Sequence, residues 1–153
     1  MTETLFYHLE KRSLDAVLPD LIEKTIKRGW RALIKTESAE RADAVDNLLW
    51  TYNEESFLPH AQLGDGKAER QPVLITVEDG NPNAAQVLFL VGGAPAPSWN
   101  ADGTFSRIVL VFDGRDENAL SRARAAWKSA KEAGHDLTYW REGSGGRFEK
   151  QQL

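Results

Sequence analysis

The chain has 153 residues, of which 41% are hydrophobic and 27% charged, with a formal net charge of −4 and no cysteine. This composition is typical of one soluble globular domain, and the lack of cysteine excludes disulfides and thiolate metal sites, as expected in a reducing cytoplasm. The negative charge argues against bulk binding to nucleic-acid phosphates. We expect a cytoplasmic protein, since the N-terminus lacks a signal-peptide pattern and no apolar run approaches the ~20 residues that cross a bilayer.

The first half of the chain alternates strand and helix patterns. A strand is predicted over residues 5–9, followed by a helix with one apolar face that stops at Gly29. Pro19 disturbs this helix, so either the helix starts near Leu18 or its first turn is bent. A second strand is predicted over residues 30–35, a helix capped by Ser38 follows, and residues 53–71 are predicted to form a loop.

The second half continues the alternation. Short strands are predicted over residues 73–77 and 87–91, a central strand over 107–112, a helix over 117–133 and a last strand over 137–140. We therefore predict a single α/β domain over residues 1–142, with three layers and a mainly parallel sheet between flanking helices. Residues 143–153 are predicted to form a flexible tail.

No segment has the pattern of a nucleotide-binding loop or a reaction centre. The turn after the first strand, residues 10–13, contains no glycine, and Gly92-Gly93 is not followed by the lysine and hydroxyl of a phosphate-binding loop. The three histidines lie in separate segments without metal-ligand spacing. Asp113-Gly114 is better explained as a turn than as a catalytic carboxylate. We predict no catalytic residue, no metal site and no cofactor.

The last predicted helix carries a local excess of positive charge. Residues 118–131 hold four cations and no acid. Arg124, Lys128 and Lys131 follow one another at i, i+4 and i+7, and Leu120 and Trp127 border this stripe on the apolar side. A cationic stripe beside an apolar edge suits a ligand that is both anionic and hydrophobic. The alternative is an ordinary solvated helix face.

Several short motifs, in their order and spacing, resemble the chi subunit of bacterial DNA polymerase III over nearly the whole chain. The resemblance rests on Phe6-Tyr7, Gly29-Trp30-Arg31, Leu49-Trp50, residues 55–60 (ESFLPH), Pro72-Val73, Ala123-Arg124, Trp127-Lys128 and Ala133-Gly134.

The resemblance implies a Rossmann-like domain that binds no nucleotide and is not catalytic by itself. Such a protein is an accessory subunit of a DNA-directed DNA polymerase, a nucleotidyltransferase complex. It implies binding of the acidic C-terminal tail of single-stranded DNA-binding protein (SSB), with Arg124, Trp127 and Lys128 at the tail site. A further family lysine corresponds to Leu120 here, a loss for which Arg122 or Lys131 could compensate.

The resemblance also implies contact with the psi subunit of the clamp loader. Trp50 and Phe57 match the family's partner-binding aromatics, and Leu58 and Pro59 continue that segment. Two exposed aromatics would suit a binding hot spot. The alternative is that Trp50 ends the buried face of its own helix.

Two other functions are compatible with the sequence. The fold class alone would allow a small nucleotide-binding protein or an enzyme of unknown substrate. Cations interleaved with aromatics (Arg124, Trp127, Lys131, Trp140) would allow direct binding of single-stranded DNA. We expect contact with DNA only through a protein partner, and no contact with a membrane.

Overall fold

The computed structural model describes residues 2–52, 58–94 and 104–151, in which eight strands form one sheet with three helices against it. The strands are β1 (Glu3–Leu9), β2 (Ala32–Lys35), β3 (Ala61–Gln62), β4 (Val73–Thr76), β5 (Val87–Leu90), β6 (Arg107–Asp113), β7 (Asp136–Glu142) and β8 (Phe148–Gln151). The helices are α1 (Leu14–Lys27), α2 (Ala39–Thr51) and α3 (Glu117–Glu132), and short 3₁₀ turns occupy Ala68–Arg70 and Ser144–Gly146.

The sheet is mainly parallel, as predicted. Its strand order is β3-β4-β2-β5-β6-β1-β7-β8, and β8 pairs with β7 in the antiparallel direction. β1 lies between β6 and β7, so that Phe6 is in register with Leu110 on one side and Tyr139 on the other. The predicted central strand, β6, is an interior strand between β5 and β1.

The helices cover both faces, which confirms the three-layer α/β prediction. Buried residues of α1 and α2, such as Leu18 and Leu49, join the core on one face of the sheet. Ala123 of α3 packs with Phe6 and Phe112 on the opposite face. β4 and β5 are buried at every position, as expected for parallel strands that have helices or loops on both sides.

Helix caps set where the helices begin. The Oγ atoms of Ser13 and Ser38 accept hydrogen bonds from the backbone N–H groups of Ala16 and Arg41, at 3.3 and 3.1 Å. Of the two alternatives for the first helix, a start near Leu18 is wrong, because α1 begins at Leu14. Pro19 therefore lies inside α1, where it is buried and donates no backbone hydrogen bond.

Two segments differ from the predicted loop and tail. The predicted loop contains β3 and a 3₁₀ turn, and its residues 53–57 lie outside the described residues. Residues 143–151 do not form the expected flexible tail, because β8 pairs with β7 and the Phe148 ring packs edge-on against Tyr7, with centroids 4.9 Å apart. A single apolar residue in a polar run gives little sequence signal, and residues 152–153 lie outside the described part.

Candidate functional site

The cationic stripe predicted on the last helix lies on the surface of α3. Asp116 caps this helix, since its carboxylate accepts hydrogen bonds from the backbone N–H groups of Asn118 (2.9 Å) and Ala119 (3.3 Å). Arg124, Lys128 and Lys131 are exposed. Among residues 2–52, 58–94 and 104–151, no carboxylate forms an ion pair with these three cations. The stripe is therefore not neutralised by described acids of the chain.

A cavity of about 430 Å³ lies beside this stripe, between α3, the end of β1 and β7. Three of the predicted site residues (Leu120, Arg124 and Trp127) line it, whereas Lys128 and Lys131 lie outside its wall. Further lining residues come from other elements: His8, Glu10, Gly114, Ala123, Tyr139, Arg141 and Gln151. We call this space the α3 cavity. It joins an arginine and an apolar aromatic surface in one concave site.

Trp127 belongs both to the core and to the α3 cavity. Its ring meets Phe6 edge-on with centroids 5.2 Å apart, and it meets Tyr139 with centroids 5.7 Å apart. These contacts fix the orientation of the indole, and the side chain remains partly exposed. A ligand in the cavity would therefore meet a rigid aromatic wall rather than a mobile side chain.

A chain of polar contacts forms the other wall of the α3 cavity. His8 Nδ1 lies 2.6 Å from the Tyr139 hydroxyl, and His8 Nε2 lies 3.3 Å from Glu10 Oε1. Arg141 Nε donates to Glu10 at 2.7 Å. Burial and the nearby Arg141 charge lower the pKa of His8, and burial raises the pKa of Tyr139. Both side chains are therefore neutral near pH 7.

The lack of a side chain at Gly114 leaves space for the His8 ring in this wall of the α3 cavity. A Cβ atom at position 114 would lie 1.8 Å from His8 Nε2, well inside a van der Waals contact. The Asp113-Gly114 pair, predicted to be a turn, thus also leaves room for the imidazole beside the end of β6.

Sequence reasoning did not find the β1 and β7 side of the cavity. His8 and Tyr139 are in adjacent parallel strands, and Arg141 is in direct register with His8. The alternation of β7 could have indicated that Tyr139 and Arg141 share a face, because side chains two positions apart point the same way. The pairing of β7 with β1, however, cannot be read from either strand alone.

Of the predicted partner-binding aromatics, Trp50 lies at the end of α2. The Trp50 side chain is 53% exposed, whereas the preceding Leu49 is 1% exposed. Trp50 therefore does not end the buried face of its helix, and its ring lies 4.5 Å from that of buried His60. Leu58 is buried and Pro59 exposed, and Phe57 lies outside the described residues.

The turn after β1 holds a carboxylate from the chain itself. Glu142 Oε1 accepts hydrogen bonds from the backbone N–H groups of Glu10, Lys11 and Arg12 at 3.0, 2.8 and 3.0 Å. Arg12 Nε donates to Oε2 at 2.7 Å. In nucleotide-binding sheets of this class, N–H groups of this turn bind phosphate. Here they are already engaged, which disfavours a nucleotide phosphate at this position.

Neither a metal centre nor a membrane span is found in the described parts of the chain. No cluster of three or more His, Asp or Glu side chains there could hold a metal ion. No described helix combines the length and apolar character needed to span a bilayer.

Comparison with known proteins decides the family. The family model described as "DNA polymerase III chi subunit, HolC" matches residues 1–138. The chain belongs to the DNA polymerase III chi subunit family. A protein of Rickettsia prowazekii (strain Madrid E) described as "Probable DNA polymerase III subunit chi" is 31% identical over 91 residues, 60% of this chain. That alignment spans about 55% of the relative's length.

The region that matches the chi family covers only part of the α3 cavity. α3, with Leu120, Arg124 and Trp127, lies inside residues 1–138, whereas Tyr139, Arg141 and Gln151 lie beyond them. One wall of the cavity is therefore built from the matched region, and part of the opposite wall comes from β7 and β8, outside it.

Proposed function

We propose that this protein is a non-catalytic accessory subunit of the DNA polymerase III holoenzyme that captures the acidic C-terminal tail of SSB in the α3 cavity. Membership of the chi family supports a place in replication. The observation that carries the tail-binding role is the joint presence of Arg124 and Trp127 on one wall of a 430 Å³ cavity. Such a site offers a bidentate cation for a carboxylate and an aromatic surface for an apolar end group.

The cationic stripe on α3 adds long-range attraction between the protein and the acidic SSB tail. Lys128 and Lys131 lie on the same face of α3 as Arg124, one and two turns further along, and all three are exposed. They do not line the cavity, so we propose that they meet acidic residues that precede the last residue of the tail. Their contribution should weaken with salt, because exposed charges are screened.

We further propose that the surface around Trp50 binds a psi-type subunit of the clamp loader, so that the protein links the clamp loader to SSB. A half-exposed tryptophan is the kind of residue that dominates interface energies. Phe57 and Pro59 are expected to extend this surface, whereas Leu58, also predicted for it, is buried in the core and is left out. In this arrangement the protein reaches DNA only through SSB.

Titration with a synthetic peptide of the last residues of SSB tests the tail-binding proposal. Arg124→Ala should weaken binding by ~1.5–3 kcal/mol, since it removes a charge-assisted contact. Arg122→Ala is the matched control, because Arg122 lies on the same helix but does not line the α3 cavity. Equal affinity of the Arg124 variant and the parent protein would refute the assignment.

A binding assay with purified psi subunit tests the second contact. Trp50→Ala should abolish or strongly weaken complex formation and leave tail-peptide affinity unchanged, because α2 and α3 lie on opposite faces of the sheet. Loss of both activities in that variant would indicate misfolding rather than loss of an interface, and circular dichroism distinguishes the two results.

A further inference from the structure

A second concave site lies at the carboxyl ends of β1, β5 and β6. It encloses about 510 Å³, within the range of small-molecule sites. Leu9, Leu90, Leu110 and Phe112 supply apolar lining. The start of α1 and one side of α3 also line this space. We call it the switch groove, because the connections from two neighbouring strands pass to opposite faces of the sheet there.

The groove lies where the chain connections diverge. From β1 the chain continues through α1 on one face of the sheet to β2, whereas from β6 it continues through α3 on the other face to β7. Since β1 and β6 are neighbours, the two connections leave a crevice between them. Open parallel sheets bind their ligands in such crevices, at the carboxyl ends of the strands.

The acids at the groove are already engaged. Asp113 accepts a hydrogen bond from Arg115 Nε at 2.8 Å, and Asp116 caps α3. Arg41, which also lines the groove, donates to Glu37 at 3.3 Å.

Arg122 is the cation that remains for a ligand. Within the described ranges it forms no hydrogen bond and no ion pair, and its guanidinium lies over Gly93, 3.3 Å from where a Cβ atom would stand. Gly93 has a φ of +87°, a conformation that favours glycine, and the missing side chain leaves room for the guanidinium. An apolar groove with one uncommitted arginine is complementary to an apolar anion.

We propose that the switch groove binds a small organic anion, an apolar body with one carboxylate or phosphate, and that Arg122 contacts the anionic group. The ligand would differ from a dinucleotide, because the N–H groups after β1 are occupied by Glu142. The site is separate from the α3 cavity, because Arg122 and Arg124 are about 200° apart around α3. Each arginine lines one space and not the other.

Fluorescence titration with 8-anilinonaphthalene-1-sulfonate, an apolar anion, tests this proposal. The folded protein should bind the probe saturably in the switch groove, and Arg122→Gln should raise the dissociation constant of that site at least about fivefold through loss of a charge-assisted contact. Arg124→Gln is the matched control and should leave the constant unchanged. Unsaturable binding, or equal affinity in the Arg122 variant, overturns the proposal.

Two further measurements locate the probe and its anionic contact. Ala119→Phe should block binding by filling the groove, since Ala119 lines it; full binding in this variant overturns the location. Competition with 1-naphthoate and 1-naphthyl phosphate distinguishes a carboxylate from a phosphate ligand, with neutral 1-naphthalenemethanol as control. Displacement by the neutral alcohol as strong as by both anions overturns the role of Arg122.

The SSB-tail peptide separates this proposal from the proposed function. The peptide should not displace the probe, and Arg122→Gln should not change peptide affinity. Displacement of the probe by the peptide would show that the groove is part of the tail site, which overturns the proposal and leaves tail binding intact. If the peptide does not bind while the probe binds normally, the tail-binding proposal fails and the proposal for the switch groove stands.

Discussion

Replacement of Glu142 by glutamine should destabilise the fold, because this carboxylate joins the end of β7 to the turn after β1. Burial disfavours its charge, but the backbone N–H groups of Lys11, Arg12 and Glu10 and the Arg12 guanidinium outweigh burial and lower its pKa from 4.5 to about 2. The Glu142 side chain has 0% relative exposure. Glu142 nevertheless lies close to the protein surface, because the turn whose N–H groups it accepts from contains exposed Lys11.

The expected magnitude follows from the pKa difference. A change from 4.5 to about 2 corresponds to roughly 3 kcal/mol of folding free energy at neutral pH, and screening near the surface reduces this to about 1–2 kcal/mol. Glutamine keeps one oxygen for the backbone N–H groups but turns an amide toward the donor Nε of Arg12. This mismatch adds about 1 kcal/mol, so we expect a total loss of about 2–3 kcal/mol.

Urea unfolding at several pH values measures this loss. Because the folded-state pKa is lowered, the contribution of the charge is complete above pH 4.5 and is lost as the pH falls toward 2. The difference between parent and Glu142→Gln should therefore be constant from pH 7 to 5 and shrink toward pH 3. Glu132→Gln, at an exposed position of α3, is the control and should change little. A pH-independent difference would refute the reasoning.

Three further predictions concern the α3 cavity and its surroundings. Glu10→Gln should tighten binding of the SSB-tail peptide a few-fold by removing an acid from the cavity and releasing Arg141, and weaker binding in calorimetry would contradict this. Gly114→Ala should lower the free energy of unfolding in urea by about 1–3 kcal/mol, because Cβ would collide with His8, and an unchanged midpoint would count against the contact. The NMR titration midpoint of His8 should lie below 6.5, and a midpoint at or above that value would contradict its burial.

The sequence alone predicted the α/β class and the position of most elements. Apolar runs such as β4 and β5 predict buried parallel strands, and the capping serines before α1 and α2 mark helix starts through local hydrogen bonds. These signals are local, since they depend on residues a few positions apart. The tail after Glu142 was not predicted as a strand, because β8 depends on a pairing partner and on the contact between Phe148 and Tyr7.

The candidate site was predicted only on its helical side. The spacing of Arg124, Trp127 and Lys128 places a cationic and aromatic surface on one helix, because side chains three and four residues apart lie together. The exclusion of Lys128 and Lys131 from the cavity wall depends on how α3 is rotated against the sheet. Helix periodicity places Ala123 on the apolar side of α3, but its packing against Phe6 and Phe112 of two other strands is not specified by any local pattern.

Helix periodicity, capping and strand composition are properties of neighbouring residues, so the sequence by itself determined most of the elements and the charge of α3. Only the tertiary structure decided that β7 lies beside β1, which brings Arg141 and Tyr139 to face Arg124 and places Glu142 in the turn after β1. These contacts join residues more than a hundred positions apart. They exist because the connection through α3 carries the chain past β1 before it returns to the sheet beside it.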